Sequence, residues 1–289
     1  MTRTNRRRIV VGDIHGELDG LKEILIHAGI IDRNRVWVGG DTILIQTGDV
    51  IDRGPRSRGA VSLLRRLQQD AVASSGNVVR CCGNHELMLL QGDCRYVNFT
   101  DPGALAEELR GEIQQGLLQA AYSDGVRLYT HAGLRSNIRQ MLVDEIGKAG
   151  TSKTSARVGL RSLADHINAK FKNAVKQGKH RSKDHCIFWV GIERGGRDRV
   201  GGVFWCGYTS IASSDRAWDV PQAFGHTPAG GPILRQAHGL RLINVDGGMC
   251  EVYGGHRVYL EINADGTLVQ HSRHSRRWDR KVLHGGDFS

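Results

Sequence analysis

The sequence predicts an α/β fold in which two packed, mixed β-sheets are flanked by helices, with a helical insertion in the second half. In the first third of the chain, three short apolar runs alternate with two segments whose apolar residues recur at helical spacing. This β-α-β-α-β order favours a mainly parallel sheet with right-handed crossovers. Later apolar runs, separated by glycine pairs, have hairpin-like spacing and indicate a second sheet packed against the first.

The first sheet is predicted from three apolar runs that each stop at a glycine. We expect these strands at residues 8–11, 42–47 and 77–81, before Gly12, Gly48 and Gly83. Between them, apolar side chains recur three or four positions apart, which predicts amphipathic helices over residues 18–28 and 60–67. In sheets of this kind, ligands gather at the carboxyl ends of the strands.

The second half is expected to continue the same domain, so that residues 1–289 form a single unit. A helical insertion that is polar and basic is predicted at about 136–190, and a basic C-terminal tail at about 272–289. We expect the tail to be surface chain or disordered. Short strands are predicted at residues 127–130, 203–205, 223–224, 240–245, 257–261 and 267–271.

Composition excludes several classes of protein. With 39% hydrophobic and 24% charged residues, the 289-residue chain is typical of a folded protein rather than a disordered one. Its apolar runs are far shorter than the roughly 18 residues that a membrane span needs, and no apolar run of signal-peptide length follows the basic start. We therefore expect a cytoplasmic location and no membrane partner. The formal net charge of +10 hints at anionic partners.

The six cysteines show no CxxC spacing, so a structural zinc site is not expected. In the absence of an export signal, they are interpreted as reduced thiols.

Five predicted strands are each followed by a cluster of polar residues. One such cluster is usually a turn or a helix cap, but five of them in order are hard to explain by turn chemistry alone. The clusters are Gly12-Asp-Ile-His15-Gly, Gly48-Asp49-Val-Ile-Asp52-Arg53-Gly, Gly83-Asn84-His85-Glu86, Thr130-His131-Ala-Gly133 and Phe224-Gly-His226-Thr-Pro.

These clusters supply the ligands of a divalent metal site. Carboxylate and amide oxygens with imidazole nitrogens suit manganese, iron, cobalt or zinc, and no thiolate is among them. Asp13 and His15, two positions apart on a turn, can face one ion. An aspartate from the next strand end could bridge two ions about 3.5–4 Å apart, which is the spacing of two-metal phosphate ester hydrolysis.

The motifs GDxHG, GDxxDRG, GNHE, HAG and GHT, in this order, resemble those of the calcineurin-like metallophosphoesterases. Within that superfamily they are most similar to the phosphoprotein phosphatase branch. The Shewanella-like phosphatases are the most similar group, judged by Thr130-His131-Ala-Gly-Leu134, Gly225-His226-Thr227-Pro228 and Asp246-Gly-Gly-Met249. The resemblance covers roughly residues 8–134 and 203–262.

The resemblance implies a dinuclear metal-dependent phosphomonoesterase in which a metal-bridging hydroxide attacks the phosphate of a phosphoprotein, at Ser, Thr or Tyr. The expected cofactors are two divalent ions, manganese in the first place and iron or zinc as alternatives. The implied metal ligands are Asp13 and His15 for the first ion, Asp49 as the bridge, and Asn84, His131 and His226 for the second.

The resemblance also implies roles for three residues that bind no metal. His85 would protonate the leaving oxygen, and Asp52 would orient its imidazole and keep it cationic. Arg53 would clamp the phosphoryl oxygens, with Asn84 also at the substrate phosphate. The planar fork of a guanidinium matches phosphate better than a lysine does.

One position departs from the pattern of the family. Related phosphatases usually supply a second phosphate-binding arginine from a Trp-x-Arg-Gly-like segment, and here Cys206 stands where that arginine is expected. Either Arg199 or Arg216 substitutes for it, or the clamp is weaker. Cys206 itself is either a redox-sensitive thiol near the site or inert packing.

The insertion has an unusual charge. Between residues 146 and 183, ten basic residues face one acid, which is nearly the whole formal excess. The segment is interpreted as a solvated helical face, as a cap that steers an anionic substrate, or as a nucleic-acid contact.

Three alternative functions stay open. One is symmetrical dinucleoside tetraphosphate hydrolysis, which is disfavoured because that group usually lacks an acid at the position of Asp52 and prefers aspartate at the position of Glu86. The second is nucleic-acid phosphodiester hydrolysis, motivated by the basic insertion. The third is a scaffold without catalysis, which is disfavoured because the ligand positions are all filled.

Overall fold

The computed structural model describes residues 6–149, 158–214, 216 and 219–284. Its strands are β1 (Arg8–Val11), β2 (Ile43–Gln46), β3 (Asn77–Cys81), β4 (Leu118–Gln119), β5 (Ala121–Ser123), β6 (Leu128–Thr130), β7 (Gln222–Phe224), β8 (Arg235–Ala237), β9 (Leu242–Asn244), β10 (Val258–Ile262), β11 (Leu268–His274) and β12 (Arg277–Val282). Its α-helices are α1 (Leu18–His27), α2 (Ser57–Asp70), α3 (Asn84–Leu90), α4 (Pro102–Gln115), α5 (Ser136–Ala149), α6 (Leu160–Lys176) and α7 (Tyr208–Ala212).

The strands form two mixed sheets, as the sequence predicts. The larger sheet has the order β12-β11-β10-β1-β2-β3-β4, and the smaller has the order β5-β6-β7-β9-β8. In the larger sheet, β1, β2, β3 and β4 run parallel, while β10 pairs antiparallel with β1. In the smaller sheet, β6, β7 and β9 run parallel. The parallel strands of each sheet therefore bring their carboxyl ends to one edge.

The alternation of side chains along the first three strands separates two layers of core. Val10, Ile45 and Val79 share one apolar cluster with Tyr129 and Ile243 of the smaller sheet, which packs the two sheets together. Their neighbours in the sequence face the other way and pack with α1 and α2; these residues are Ile9, Leu44, Val78, Leu21, Leu25, Leu64 and Leu67. The sheets are thus packed on one another and covered by helices.

One predicted strand is wrong. Residues 203–205 form a turn instead, in which the N–H groups of Trp205 and Cys206 both donate to the carbonyl of Gly202. Val203 and Phe204 are fully buried within this turn, so their apolar character reflects burial rather than a sheet position.

The C-terminal tail was expected to be surface chain or disordered, and the structure places much of residues 272–284 at the surface, in paired strands. Strands β11 and β12 pair antiparallel from Val269 with Val282 to His274 with Arg277. Residues 285–289 lie outside the described part of the chain.

The insertion contains two helices that carry part of the core. The buried face of α6 consists of Leu163, Ala164, Ile167, Phe171 and Val175. The Phe171 ring lies 5.2 Å from that of Phe204 and 6.3 Å from that of Phe188. Lys172, Lys176 and Lys179 are exposed on the other side. Lys153 and Arg157, which contribute to the predicted charge, lie outside the described residues.

Within the described ranges, no helix combines the length and the apolar composition that a membrane crossing requires.

Replacing Phe171 by alanine should lower the free energy of unfolding by about 3–5 kcal/mol, because a large buried ring is lost from a packed cluster. Denaturant unfolding of the variant measures this change. The neighbouring exposed Lys172→Ala is the control and should stay within about 0.5 kcal/mol of the parent. Equal stabilities for the two variants would mean that α6 is not part of the core.

Candidate active site

Both sheets deliver polar side chains to the same edge. Asp13 follows β1, Asp49 follows β2, and Asn84 begins α3 directly after β3. From the smaller sheet, His131 follows β6 and His226 follows β7. All five are buried. The structure therefore brings these sequence-predicted residues together, as expected for the carboxyl ends of parallel strands.

The turns that carry these residues are strained. A positive φ is uncommon for residues with a side chain and clusters at functional sites, where the surrounding structure holds it. Here it occurs at His15 (47°), Asp49 (55°), Asp52 (71°), Arg53 (65°) and His226 (70°).

Glu86 ties two of the turns together. Its carboxylate accepts hydrogen bonds from the backbone N–H groups of Gly83 (2.8 Å), Asp49 (2.9 Å), Val50 (2.8 Å) and Ile51 (3.2 Å). Burial and the nearby charge of Asp49 raise the pKa of Glu86 to about 7. The Glu of the GNHE motif thus fixes the backbone that presents Asp49.

Asp49 lies at the centre of the cluster. Its Oδ2 atom is 3.7 Å from Nε2 of His15 and 3.5 Å from Nε2 of His131, while its Oδ1 accepts the backbone N–H of His85 at 2.9 Å. Ligand atoms lie within 4.8 Å of one another in two groups, His15–Asp49–His85 and Asp49–His131–His226. Because Asp49 belongs to both groups, its carboxylate is in a position to bridge two cations.

Asp13 lies between the same groups. One of its carboxylate oxygens is 4.0 Å from Nε2 of His15, and the other is 3.9 Å from Nδ1 of His131. Burial, with the charges of Asp246 and Asp49, raises the pKa of Asp13 well above its ordinary value. Burial likewise raises the pKa of Asp246, which is hydrogen-bonded to Asp13, to about 7. Crowded carboxylates of this kind fit a site that takes cations.

The histidines at the site are in the form that binds metal. Burial lowers the pKa of His15 to about 3, and it lowers the pKa of His131 and His226 below the ordinary value as well. Neutral imidazoles are the metal-binding form. Nε2 of His131 is 2.9 Å from Oδ1 of Asn84 and 3.0 Å from Nδ1 of His226. Nε2 of His226 is buried and has no hydrogen-bond partner among the described residues. This set of oxygen and nitrogen atoms fits divalent cations.

His85 differs from the other histidines. Burial alone would lower its pKa, but the charge of Asp49 and a 2.7 Å hydrogen bond between Nδ1 and Oδ2 of Asp52 outweigh burial and raise it. Its Nε2 atom is 3.5 Å from a guanidinium nitrogen of Arg53. That guanidinium lies over the rings of Tyr96 (4.9 Å) and Tyr253 (5.2 Å). His85 is thus an imidazole paired with a carboxylate and lying beside an arginine.

The cluster opens into a cavity of about 330 Å³. Sequence reasoning missed Arg194, which lies outside every motif. It also missed the aromatic residues of the wall, Tyr96, Trp205 and Tyr253. Asp246 could have been found, because it belongs to the Asp-Gly-Gly segment. The residues that line the cavity are Asp13, His15, Asp49, Arg53, Asn84, His85, Met88, Arg95, Tyr96, Arg194, Trp205, His226, Pro228 and Tyr253.

The two arginines chosen from the sequence as substitutes are not at the site. Arg199 and Arg216 are exposed, and neither is among the residues that line the cavity. Cys206 is fully buried, and burial raises the pKa of its thiol to about 12. A thiolate is therefore scarce, which favours packing over redox sensing.

The family model described as "Calcineurin-like phosphoesterase" matches residues 6–229. The chain belongs to this family. The family implies two divalent metal ions, and the two ligand groups that share Asp49 are the candidate sites for them. This calcineurin-like phosphoesterase is a metal-dependent hydrolase of phosphoester bonds, as the motifs predict.

Individual relatives agree with the resemblance that the motifs carry. This calcineurin-like phosphoesterase is 40% identical over 91 residues to Shewanella-like protein phosphatase 2 of Arabidopsis thaliana. The matched region covers 32% of this chain and 23% of that protein. It is 30% identical over 158 residues to Shewanella-like protein phosphatase 1 of Plasmodium berghei. That match covers 49% of this chain and 43% of the Plasmodium protein.

The fold is also that of a solved structure. A cold-active protein-tyrosine phosphatase of a psychrophilic Shewanella species superposes with a TM-score of 0.70 and 24% identity, over 96% of this chain and 80% of that one.

Replacing Gly225 by alanine should weaken metal binding about 10- to 100-fold, which is the usual effect of disturbing the groups that orient a ligand. A β-carbon at this position would overlap Oδ1 of Asp13. Metal titration and elemental analysis of the purified variant measure the loss. Gly111→Ala, at a helix position with nothing within 4 Å of the new carbon, is the matched control. Full metal content in the Gly225 variant would mean that Asp13 is not a metal ligand.

Proposed function

We propose that the protein removes phosphate from phosphorylated side chains of proteins, at serine, threonine or tyrosine. The observation that carries this proposal is the pairing of His85 with Asp52 directly beside Asp49, the carboxylate shared by both ligand groups. A proton donor and a candidate dinuclear centre then face the same cavity. The phosphatase relatives named above support the choice of a phosphoprotein as substrate.

We assign the metal ligands from the contacts around Asp49 and leave out His85, because Asp52 engages its imidazole. In this proposal, Asp13, His15 and Asp49 hold one ion. Asp49 also holds the other, together with Asn84, His131 and His226. When bound, two divalent ions would lower the pKa of a water molecule and neutralise charge on the phosphoryl group. Two manganese ions are proposed, with iron or zinc as alternatives, since the donors are carboxylate, amide and imidazole groups without a thiolate.

His85 is the proposed general acid. Its Nδ1 is engaged by Asp52, so the proton available to a substrate is the one on Nε2. The charge of Asp49 and this pairing together outweigh burial and raise the pKa of the imidazole, which favours retention of that proton. Donation to the leaving oxygen offsets the negative charge that develops as the ester bond breaks.

Arg53 is the proposed phosphate-binding group next to His85. Its guanidinium is held over two tyrosine rings, which limits its motion and leaves its donors directed to the cavity. A planar guanidinium can give two parallel hydrogen bonds to phosphoryl oxygens. The amide of Asn84, which lines the same cavity, is proposed to contact the phosphate as well.

The alternatives receive less support. Asp52 and Glu86 are the two residues that disfavour a dinucleoside tetraphosphate hydrolase. Both make contacts in the site, because Asp52 is hydrogen-bonded to His85 and Glu86 accepts four backbone N–H groups. Among residues 136–149 and 158–190, the described part of the insertion, none lines the cavity. A nucleic-acid substrate has no observation in its favour beyond charge.

A substrate panel tests the proposal directly. The manganese-loaded protein is assayed on phosphoserine, phosphothreonine and phosphotyrosine peptides, on a dinucleoside tetraphosphate, and on RNA and DNA oligonucleotides. We expect the highest kcat/KM on a phosphopeptide. A higher value on the dinucleotide, or cleavage of an oligonucleotide, would overturn the choice of substrate. Absence of metal-dependent turnover on every ester would favour the scaffold.

Replacing His85 by asparagine should lower kcat on a phosphoserine peptide about 100- to 10,000-fold, the usual contribution of general acid catalysis. Hydrolysis of p-nitrophenyl phosphate should suffer less, because its leaving group is stable without a proton. Asp52→Asn should act in the same direction. Parallel kinetics on the two substrates measure this difference.

Metal content separates this role from that of a ligand, since His85 lies within one of the two ligand groups. His85→Asn should keep both ions, whereas Asp49→Asn should lose metal and activity on both substrates. If the His85 variant also loses metal, His85 is a ligand and the assignment of the acid is wrong.

A further inference from the structure

The side chain at position 206 does not line the cavity. The side chain of Cys206 is fully buried in a small apolar cluster with Ala132, Ile211, Phe224 and Leu242. An arginine there would bury a cation among apolar groups, which is costly without a paired anion. The segment from Trp205 to Gly207 therefore borders the site but does not direct the side chain at 206 into it.

Arg194 reaches the same cavity from another direction. It ends a short 3₁₀ turn, Ile192–Arg194, and its guanidinium donates a 2.8 Å hydrogen bond to Oγ1 of Thr227. Thr227 directly follows His226, one of the proposed ligands. Arg194 lines the cavity together with Arg53 and His85. Its positive charge is therefore close to where a phosphate would lie.

The turn that carries Arg194 is fixed to the segment from Trp205 to Gly207, where the resemblance implies an arginine. Oε1 of Glu193 accepts the backbone N–H of Gly207 at 3.0 Å. A β-carbon at Gly207 would lie 3.1 Å from that oxygen and 3.4 Å from a terminal nitrogen of Arg194. The guanidinium thus lies against Gly207, which directly follows Cys206.

We propose that Arg194 is the second phosphate-binding arginine of this enzyme and completes the clamp begun by Arg53. The clamp would then be assembled from a turn outside the motif, which accounts for Cys206 at the position where the resemblance implies an arginine. This inference rests on the proposed function, since it requires a phosphoester at the site. One terminal nitrogen of Arg194 binds Thr227, and the remaining N–H groups are free to bind phosphoryl oxygens in a fixed direction.

The test compares Arg194→Ala and Arg194→Lys with Arg197→Ala, an exposed arginine three residues along the same segment. Each variant is loaded with manganese, and its metal content is measured first. We expect Arg194→Ala to lower kcat/KM on p-nitrophenyl phosphate and to weaken competitive inhibition by inorganic phosphate, each about 10- to 100-fold. Lysine should restore only part of the loss, because it lacks the planar fork. Added guanidinium ion should restore part of the activity of the alanine variant, and Arg197→Ala should match the parent.

Two further variants make the result decisive. Thr227→Val removes the anchor but leaves the charge, so it should weaken phosphate inhibition less than Arg194→Ala does. Parent-like kinetics and phosphate inhibition in Arg194→Ala would overturn the inference, as would a loss found in Arg199→Ala instead. Equal losses in Thr227→Val and Arg194→Ala, without a change in phosphate inhibition, would mean a structural role and would also overturn it.

Separate measurements distinguish a wrong role for Arg194 from a wrong function of the protein. If the parent hydrolyses no phosphoester, the function is wrong. Calorimetric titration of inorganic phosphate into the metal-loaded parent and into Arg194→Ala still decides whether Arg194 binds the anion.

Discussion

Mutual repulsion among buried carboxylates is the constraint on which the site depends. Asp13, Asp49, Glu86 and Asp246 are all buried at one edge of two sheets, and burial drives the pKa of three of them upward. Burial also opposes ionisation of Asp49, yet its contacts with His131, His85 and His15 lower its pKa. The fold accepts this cost because four backbone N–H groups hold Glu86 and because cations can neutralise the rest. A binding site for metal is therefore built into the stability of the edge itself.

The sequence was sufficient to predict which side chains meet at this edge, because they follow strands whose direction is readable. Asp13 and Asp49 come after apolar runs in a β-α-β order, and right-handed crossovers bring such strand ends together. His131 and His226 obey the same rule in the smaller sheet. The predictions of two mixed sheets and of family membership are confirmed on this basis.

What the sequence could not supply was the contribution of irregular chain. Arg194 and Tyr253 reach the cavity from short 3₁₀ turns, whose positions depend on long-range packing rather than on local periodicity. The run Val203–Trp205 was mistaken for a strand because burial gives the same apolar pattern in a turn. Sequence reasoning named Arg199 and Arg216, which do not line the cavity, and did not consider Arg194, which does.

The pairing of β12 with β11 gives the basic C-terminus a role that requires no anionic ligand. Among the strands that the structure describes, β12 is the outermost of the larger sheet, and an edge strand of this kind can recruit a strand from another molecule. Arginine and lysine side chains, of which Arg277 and Arg280 are exposed, discourage such edge-to-edge association. A chain shortened before residue 277 would uncover the longer strand β11 and so acquire a tendency to aggregate.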